Sequence, residues 1–181
     1  MADPYPLWFS YPPDQPTPAW VAGFVEVVSS ARGSVDSRKT ENLTSDKVLA
    51  HLRPGLELLG FQVEAGKKAA EKIRRPVLFG DQGSVRVSYE VDAVHDDLGI
   101  VVEVEAGRGA RGNAVYRDLV RTSLIVGARF LVLGVMAEYR HQSGGKLQRV
   151  ESYREAKDQM DAIYASGRLG LPFDGVLLFG Y

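Results

Sequence analysis

Two neighbouring segments of the chain carry acidic residues at alternating positions. Glu90 and Asp92 lie in the segment YEVDAV, and Glu103 and Glu105 lie in IVVEVEA. Because alternate side chains of a β-strand share a face, each pair of acids would point to one side of its strand. A hairpin with DDLG as its loop would set Asp92 opposite Glu103 and Glu90 opposite Glu105. The spacing therefore predicts four carboxylates on one side of two paired strands.

Carboxylates so arranged repel one another, and the folded sheet needs something to offset that repulsion. A hard divalent cation is the simplest solution, because Mg²⁺ and Mn²⁺ prefer oxygen ligands and commonly bind carboxylates together with phosphate oxygens. Two other solutions stay open. Nearby arginines could neutralise the acids, or the acids could lie on the water-exposed face of an antiparallel sheet.

The segment GRGARG at positions 107–112 fits the G-x-G-x-x-G pattern of dinucleotide-binding loops. Two observations count against that interpretation. The preceding strand alternates apolar and acidic residues instead of being apolar throughout, and the motif falls in mid-chain after a β meander instead of opening a βαβ unit. The glycines are better explained as a sharp turn into a helix that Asn113 caps. Arg108 and Arg111, near that helix N-terminus, would suit a phosphodiester.

Basic residues occur in two clusters, although the net charge of the chain is −1. The helix after Asn113 carries Arg117 and Arg121 at intervals of four, which predicts a polar stripe along one face. A second cluster is interpreted as a solvated face and contains Lys67, Lys68, Lys72, Arg74 and Arg75. Because the overall charge gives no general attraction to nucleic acid, any such binding would need a localised groove.

The order of predicted elements indicates one α/β domain of 181 residues, with a mixed β-sheet flanked by helices. Residues 1–16 are proline-rich and predict an arm on the surface, and the first helix follows Thr17-Pro18. A second helix begins at Ser45-Asp46 and should kink or split at Pro54. A β meander, the helix after Asn113 and the buried strand RFLVLGVM complete a core over 45–136. A last helix and strand fill 152–181.

The acidic pattern resembles that of the PD-(D/E)XK, or restriction-endonuclease-like, nucleases. Asp92 matches the first acidic position of the family's motif, and Glu103 eleven residues later matches the second. Val91 stands in place of the motif's proline. Glu105 stands where most members have lysine, as in the E-x-E variant of the BamHI type. The family core of a helix, a three-strand meander, a helix and a strand resembles the order predicted for residues 45–136.

The resemblance implies metal-assisted hydrolysis of DNA phosphodiesters. Asp92 and Glu103 would hold Mg²⁺ or Mn²⁺, and Glu105 would hold a second ion or accept a proton from water. Some members carry a further acid on the first core helix, for which Glu57 is the candidate here unless it is an exposed helix residue; Glu90 is a second auxiliary candidate. The residues implied in contacts with DNA are Arg108, Arg111, Asn113, Arg117 and Arg121.

Two alternatives accompany this hypothesis. The chain could be an inactive member of the same fold that binds nucleic acid or a protein partner, or an unrelated α/β protein with solvated acids. A one-residue slip of the hairpin would turn Glu103 away from Asp92 and remove the nuclease hypothesis. A homodimer would be needed for concerted cutting of both DNA strands with one site per chain.

Several other classes lack their signatures. The chain contains no cysteine, which excludes disulfides and thiolate metal sites and favours a cytoplasmic setting. The first residues lack the basic region of a secretion signal, and no apolar run reaches the length of a membrane span, so we expect neither export nor membrane insertion. The sequence has neither a P-loop nor a G-x-S-x-G motif, and its three histidines are widely separated. Trp8, Phe9 and Tyr11 are expected to pack on the protein or on a second subunit.

Overall fold

The computed structural model describes residues 4–107 and 113–181. The helices are α1 (Trp20–Ser30), α2 (Arg32–Val35), α3 (Ser45–Leu58), α4 (Ala114–Ser123) and α5 (Ser152–Ser166). The strands are β1 (Leu7–Tyr11), β2 (Gln62–Val63), β3 (Ile73–Phe79), β4 (Val85–Val91), β5 (Ala93–His95), β6 (Ile100–Val104), β7 (Phe130–Val135), β8 (Tyr139–Ser143), β9 (Lys146–Val150) and β10 (Gly175–Gly180). None of the helices in these described ranges is long and apolar enough to cross a membrane.

Six strands form one mixed sheet in the order β1-β10-β7-β6-β5-β2. The three central strands β6, β7 and β10 run parallel, whereas β5, β2 and β1 join them in antiparallel pairs. Helix α4 makes the crossover from β6 to β7, as parallel neighbours require. The predicted α/β class with a mixed, helix-flanked sheet is confirmed.

The sheet buries both of its faces. On one face, Phe24 of α1 and Leu52 of α3 pack against the sheet. Their partners include Val102 and the other residues of β6 whose side chains point to the same face. On the opposite face, α4 and α5 bury a second apolar cluster that includes Leu119 and Met160. Neighbouring residues of β6 point to opposite faces. Glu103, the residue after Val102, therefore points toward α4.

Helix α3 begins where the sequence predicts. Thr44 is its N-cap, and its hydroxyl accepts a hydrogen bond from the Lys47 backbone N–H at 3.3 Å. The predicted split at Pro54 is wrong, because α3 continues for four residues beyond it to Leu58. Pro54 and Ala50, whose carbonyl would normally accept the missing N–H, are both exposed, and water can therefore satisfy that carbonyl.

The prediction of an N-terminal arm is also wrong. Residues Leu7–Tyr11 form β1, an edge strand that pairs antiparallel with β10. Tyr11 is buried in the second apolar cluster, and its hydroxyl donates to Asp161 at 2.5 Å. Phe9 lies under the ammonium group of Lys157. Alternating aromatic residues therefore outweigh the flanking prolines, which fall just outside the strand.

Gly134 in β7 gives a direct test of the packing between the central strands. A Cβ atom at this position would lie 2.4 Å from the ring of Phe179, which is fully buried on β10. We expect Gly134→Ala to lower the free energy of unfolding by about 1–3 kcal/mol, since the ring must move within a packed core. Chemical denaturation measures this change, and Gly33→Ala, at a site with open space around it, is the control.

Candidate active site

Asp92 lies where the chain passes from one sheet to another. The strand before it, β4, pairs with β3 in a separate two-stranded ribbon, and the strand after it, β5, belongs to the main sheet. Strand β5 pairs with β6 in the register Ala93 to Val102, with residues 96–99 as the loop. Continued by one residue, this register sets Asp92 opposite Glu103, as the hairpin hypothesis requires.

Glu90 does not lie opposite Glu105 as predicted. Because the chain changes sheet at Asp92, Glu90 belongs to the ribbon and pairs there with Arg74, with 2.6 Å between their side chains. Glu90 nevertheless lines the same cleft as the other acids. The hairpin prediction is therefore correct for the Asp92 side of the cleft and wrong for the strand that precedes it.

Glu103 is a buried carboxylate on the face of β6 that is covered by α4. Its exposed fraction is 7%, and within the described parts of the chain its side chain accepts no hydrogen bond and makes no ion pair. Asp92, by contrast, accepts the backbone N–H of Val104 at 2.7 Å. A buried carboxylate is costly in its charged form, so Glu103 is a group that a cation entering the cleft would stabilise.

Glu105 follows the end of β6 and is held on three sides. Its backbone N–H donates to Gly134, its carbonyl accepts the Tyr181 hydroxyl at 2.7 Å, and its carboxylate forms an ion pair with Arg117. Arg117 also pairs with the buried Asp118, with 3.0 Å between Nε and Oδ1. This pairing neutralises Glu105 in part and draws it toward α4.

The polar stripe predicted on α4 reaches the cleft through two of its three residues. Arg117 and Arg121 both line the cleft, and Arg121 donates to the backbone carbonyl of Glu90 at 3.1 Å. Asn113 is exposed at the start of α4 and makes no side-chain capping hydrogen bond, so the predicted side-chain cap is wrong. Arg108 and Arg111 lie outside the described residues.

Glu57 does not reach the cleft. It is exposed near the C-terminal end of α3, whereas the α3 residue that lines the cleft is Ser45 at the opposite end. The structure therefore agrees with the interpretation of Glu57 as an exposed helix residue.

Three residues of the site were missed by sequence reasoning. Glu64, directly after β2, is buried and forms an ion pair with Lys72, just before β3; both line the cleft. Lys72 had been assigned to a solvated basic face. Asp118 is buried on α4 beside the buried apolar residues Val115 and Leu119. An acid within an apolar helical stripe is the signal that could have identified it.

Together these residues line a polar cleft of about 250 Å³. The charged side chains that line it are Glu64, Lys72, Glu90, Asp92, Glu103, Glu105, Arg117 and Arg121. Five of them are acidic and three are basic, and Asp118 lies behind the cleft wall. Among the residues that the structure describes, the cleft therefore has an excess of acidic groups.

Burial and the nearby acidic groups raise the pKa values of three carboxylates in the cleft. Burial, reinforced by repulsion from Glu64 and Asp118, raises the pKa of Asp92 to about 6 although the Val104 N–H opposes the change. Burial and repulsion from Asp92 and Asp118 also raise the pKa of Glu103 well above its usual value. For Glu105, burial and then Asp118 raise the pKa to about 7. These carboxylates bind protons more tightly than free ones because burial and mutual repulsion outweigh the opposing charges of Lys72, Arg117 and Arg121.

Lys72 behaves in the opposite way. Its hydrogen bond to Glu64 raises the pKa of the Lys72 amine and thereby favours the charged ammonium form. Lys72 is thus a permanent positive charge at neutral pH rather than a proton acceptor. It can offset the charge of an anionic ligand that enters the cleft.

The donor atoms in the cleft suit a hard divalent cation, since they are carboxylate oxygens. Within the part of the chain that the structure describes, however, no three Asp, Glu or His side chains are grouped so that they could hold an ion. The Glu105 carboxylate is turned to Arg117, and the Asp92 carboxylate is engaged by the Val104 N–H. For these three acids to hold an ion together, Glu105 would have to leave Arg117 and turn toward Asp92 and Glu103.

Comparisons of the chain with protein-family models, with curated proteins and with solved structures gave no match in any of the three. A functional proposal must therefore be based on the cleft itself.

Proposed function

We propose that this chain is a metal-dependent nuclease of the PD-(D/E)XK type that hydrolyses DNA phosphodiesters in the acidic cleft. The observation that carries the proposal is the buried Glu103 carboxylate, which has no hydrogen bond within the described residues and lies in register with Asp92. Divalent cations and phosphate oxygens are the partners that such a pair of acids commonly binds.

The order of elements supports the finer fold assignment. Helix α3 is followed by the strands β2, β5 and β6, then by α4 and the parallel strand β7. This is the order of the nuclease core, with the β3–β4 ribbon inserted between the first two strands. Asp92, directly before β5, and Glu103 in β6 would then correspond to the family's two acidic positions.

Each residue of the cleft has a separate role in the proposed reaction. Asp92 and Glu103 would hold Mg²⁺ or Mn²⁺, which when bound polarises the phosphate and lowers the pKa of a water molecule. Glu105 would accept a proton from the attacking water. Lys72 supplies the positive charge that members with lysine at position 105 would supply, and offsets charge that develops on the phosphate oxygens. Arg121 contributes a second cation beside the nucleic-acid backbone.

A second candidate function is a non-catalytic nucleic-acid or protein-binding module. The ion pair between Glu105 and Arg117 favours it, because that pair partly neutralises the cleft without any metal ion. The two candidates differ in what metal does: the nuclease requires it, and the module binds its partner without it.

Cleavage of supercoiled plasmid distinguishes the two candidates. We expect nicking with Mg²⁺ or Mn²⁺ and none with excess chelator. Linear product formed without an open-circular intermediate would indicate that two copies of the chain act together on one duplex. An intact plasmid across both metals and several DNA sources would favour the module.

Lys72→Met is expected to lower the rate of plasmid nicking about 100-fold, because it removes one positive charge that faces the developing charge of the phosphate. Lys72→Arg, which keeps the charge, is the matched control and should retain most of the activity. Thermal melting of both variants shows whether loss of the Glu64 ion pair unfolds the protein. Equal nicking by a folded Lys72→Met variant would remove Lys72 from the mechanism.

A further inference from the structure

A second, larger cavity of about 570 Å³ lies between the loop that precedes α3 and the β8–β9 hairpin. We propose that this cavity binds an unpaired nucleobase of the same strand whose phosphate lies in the acidic cleft. The inference rests on the proposed function and deepens it, because it makes single-stranded or locally opened DNA the substrate class.

The walls of the cavity suit a flat aromatic ligand. The rings of Tyr139 and His141 are nearly parallel, with an angle of 7° and 5.2 Å between their centroids. Leu43, Met136 and Leu147 supply apolar surface around this pair. Aromatic side chains of this kind stack with bases of any sequence, and the volume is within the range of cavities that bind small ligands.

Hydrogen-bonding groups are also available in the cavity. Nδ1 of His141 is buried and has no partner within the described residues. Because this atom has almost no accessible surface, a ligand in the cavity would reach it only if the His141 ring turned. Thr40 and Asn42 line the same cavity and add polar groups that could bind the edge of a base.

The cavity is better suited to a base than to a phosphate. Among the described residues that line it, the one arginine is Arg140, which is engaged by Glu138 at 2.5 Å and by the backbone carbonyl of Arg38. Glu41 and Glu138 line the cavity as well and would repel an anion. The phosphate is expected in the acidic cleft, where the metal ion of the proposed function and Lys72 would offset the carboxylates, and the base is expected in the cavity.

Two chain segments connect the cavity with the acidic cleft. Thr44 lines the cavity, and the next residue, Ser45, lines the cleft. On the other side, the backbone N–H of Gly107 contacts Met136 of the cavity wall at 3.4 Å, two residues beyond Glu105. A strand that leaves the cleft therefore meets the cavity next, and a base can enter it only after leaving the stack of a duplex.

The test compares the binding of three short DNA probes in chelator, so that neither metal nor cleavage contributes. The probes are a single strand, a deoxyribose-phosphate oligomer of the same length without bases, and the corresponding duplex, each measured by fluorescence anisotropy. We expect the single strand to bind about 10-fold more tightly than the other two. Tyr139→Ala and His141→Ala should remove this preference. Tyr116→Ala, which removes a 42% exposed tyrosine on α4, should keep it.

The outcomes separate this inference from the proposed function. Equal binding of the single strand and the base-free oligomer would overturn the cavity inference, even where plasmid is nicked. The protein could instead prefer probes with bases, lose this preference in His141→Ala, and nick no plasmid. That result would support the cavity inference and overturn the proposed nuclease function. Unchanged preference in folded Tyr139→Ala and His141→Ala variants would also overturn the inference, and His141→Ala alone decides where Tyr139→Ala fails to fold.

Discussion

Glu103→Gln is expected to lower metal-dependent plasmid nicking by at least about 1000-fold, measured as the initial rate in Mg²⁺ or Mn²⁺. A bound metal ion contributes several kcal/mol to such a reaction, and each 1.4 kcal/mol or so is about tenfold in rate. The amide keeps the size of the side chain and loses the charge that would hold the cation. Because Glu103 accepts no hydrogen bond within the described residues, the substitution removes none that the folded protein makes.

Glu57→Gln is the matched control for this experiment. It makes the same chemical change at an exposed position of α3, outside the cleft. We expect this variant to nick plasmid at the rate of the wild type. Activity that survives Glu103→Gln in a preparation free of contaminating nuclease would contradict the role assigned to Glu103.

The metal-free protein is expected to lose stability as the pH rises from about 5 to about 8, by roughly 2 kcal/mol. Burial and mutual repulsion raise the pKa of Asp92 to about 6 and that of Glu105 to about 7, and raise the pKa of Glu103 as well. The folded protein therefore binds more protons than the unfolded chain in this window, and stability falls as those protons leave. Each pKa unit corresponds to about 1.4 kcal/mol, reduced here because solvent reaches part of the cleft.

The carboxylates of Asp36 and Asp161 do not produce this slope. The pKa values of Asp36 and Asp161 are lowered by their partners, Arg38 and Lys157 respectively, so their contributions are lost only in more acidic solution. Denaturation curves at several pH values measure the effect, and Glu103→Gln should flatten it. Mn²⁺ at about 100 times its dissociation constant should restore roughly 2.7 kcal/mol at the higher pH. Stability that rises with pH across this window would contradict the account of the cleft.

The sequence was informative where the site depends on local pairing. Asp92 and Glu103 are joined by a short hairpin, and the length of its loop and the alternation of side chains determine the register. The same local rules identified Arg117 and Arg121 as members of one helical face. Each of these predictions depends on residues within about one or two turns or one hairpin of each other.

The remaining parts of the site depend on contacts between distant segments. Nothing near Glu90 indicates that the chain leaves the main sheet at Asp92, because the ribbon partner Arg74 lies sixteen residues earlier. Lys72 reaches the cleft only because the β3–β4 ribbon carries it there. A cluster of basic residues is usually a solvated face, and local composition cannot single out the one that pairs with a buried acid.

Two further elements were within reach of sequence reasoning and were missed. Gly144 and Gly145 both have positive φ and join β8 to β9, and paired glycines between short strands are a common hairpin signal. Strand β1 alternates in the segment LWFSY, which the surrounding prolines obscured. The β8–β9 hairpin matters for function, because it carries Tyr139 and His141 into the second cavity.

Titration of Mn²⁺ into the metal-free protein at neutral pH, followed by the spectroscopic signal of the free ion, tests the central claim most directly. The account predicts that the wild type and Glu57→Gln bind Mn²⁺ with the same affinity and that Glu103→Gln loses this binding. Binding that Glu103→Gln leaves unchanged, or no binding to the wild type, would show that the acidic cleft is not a metal centre.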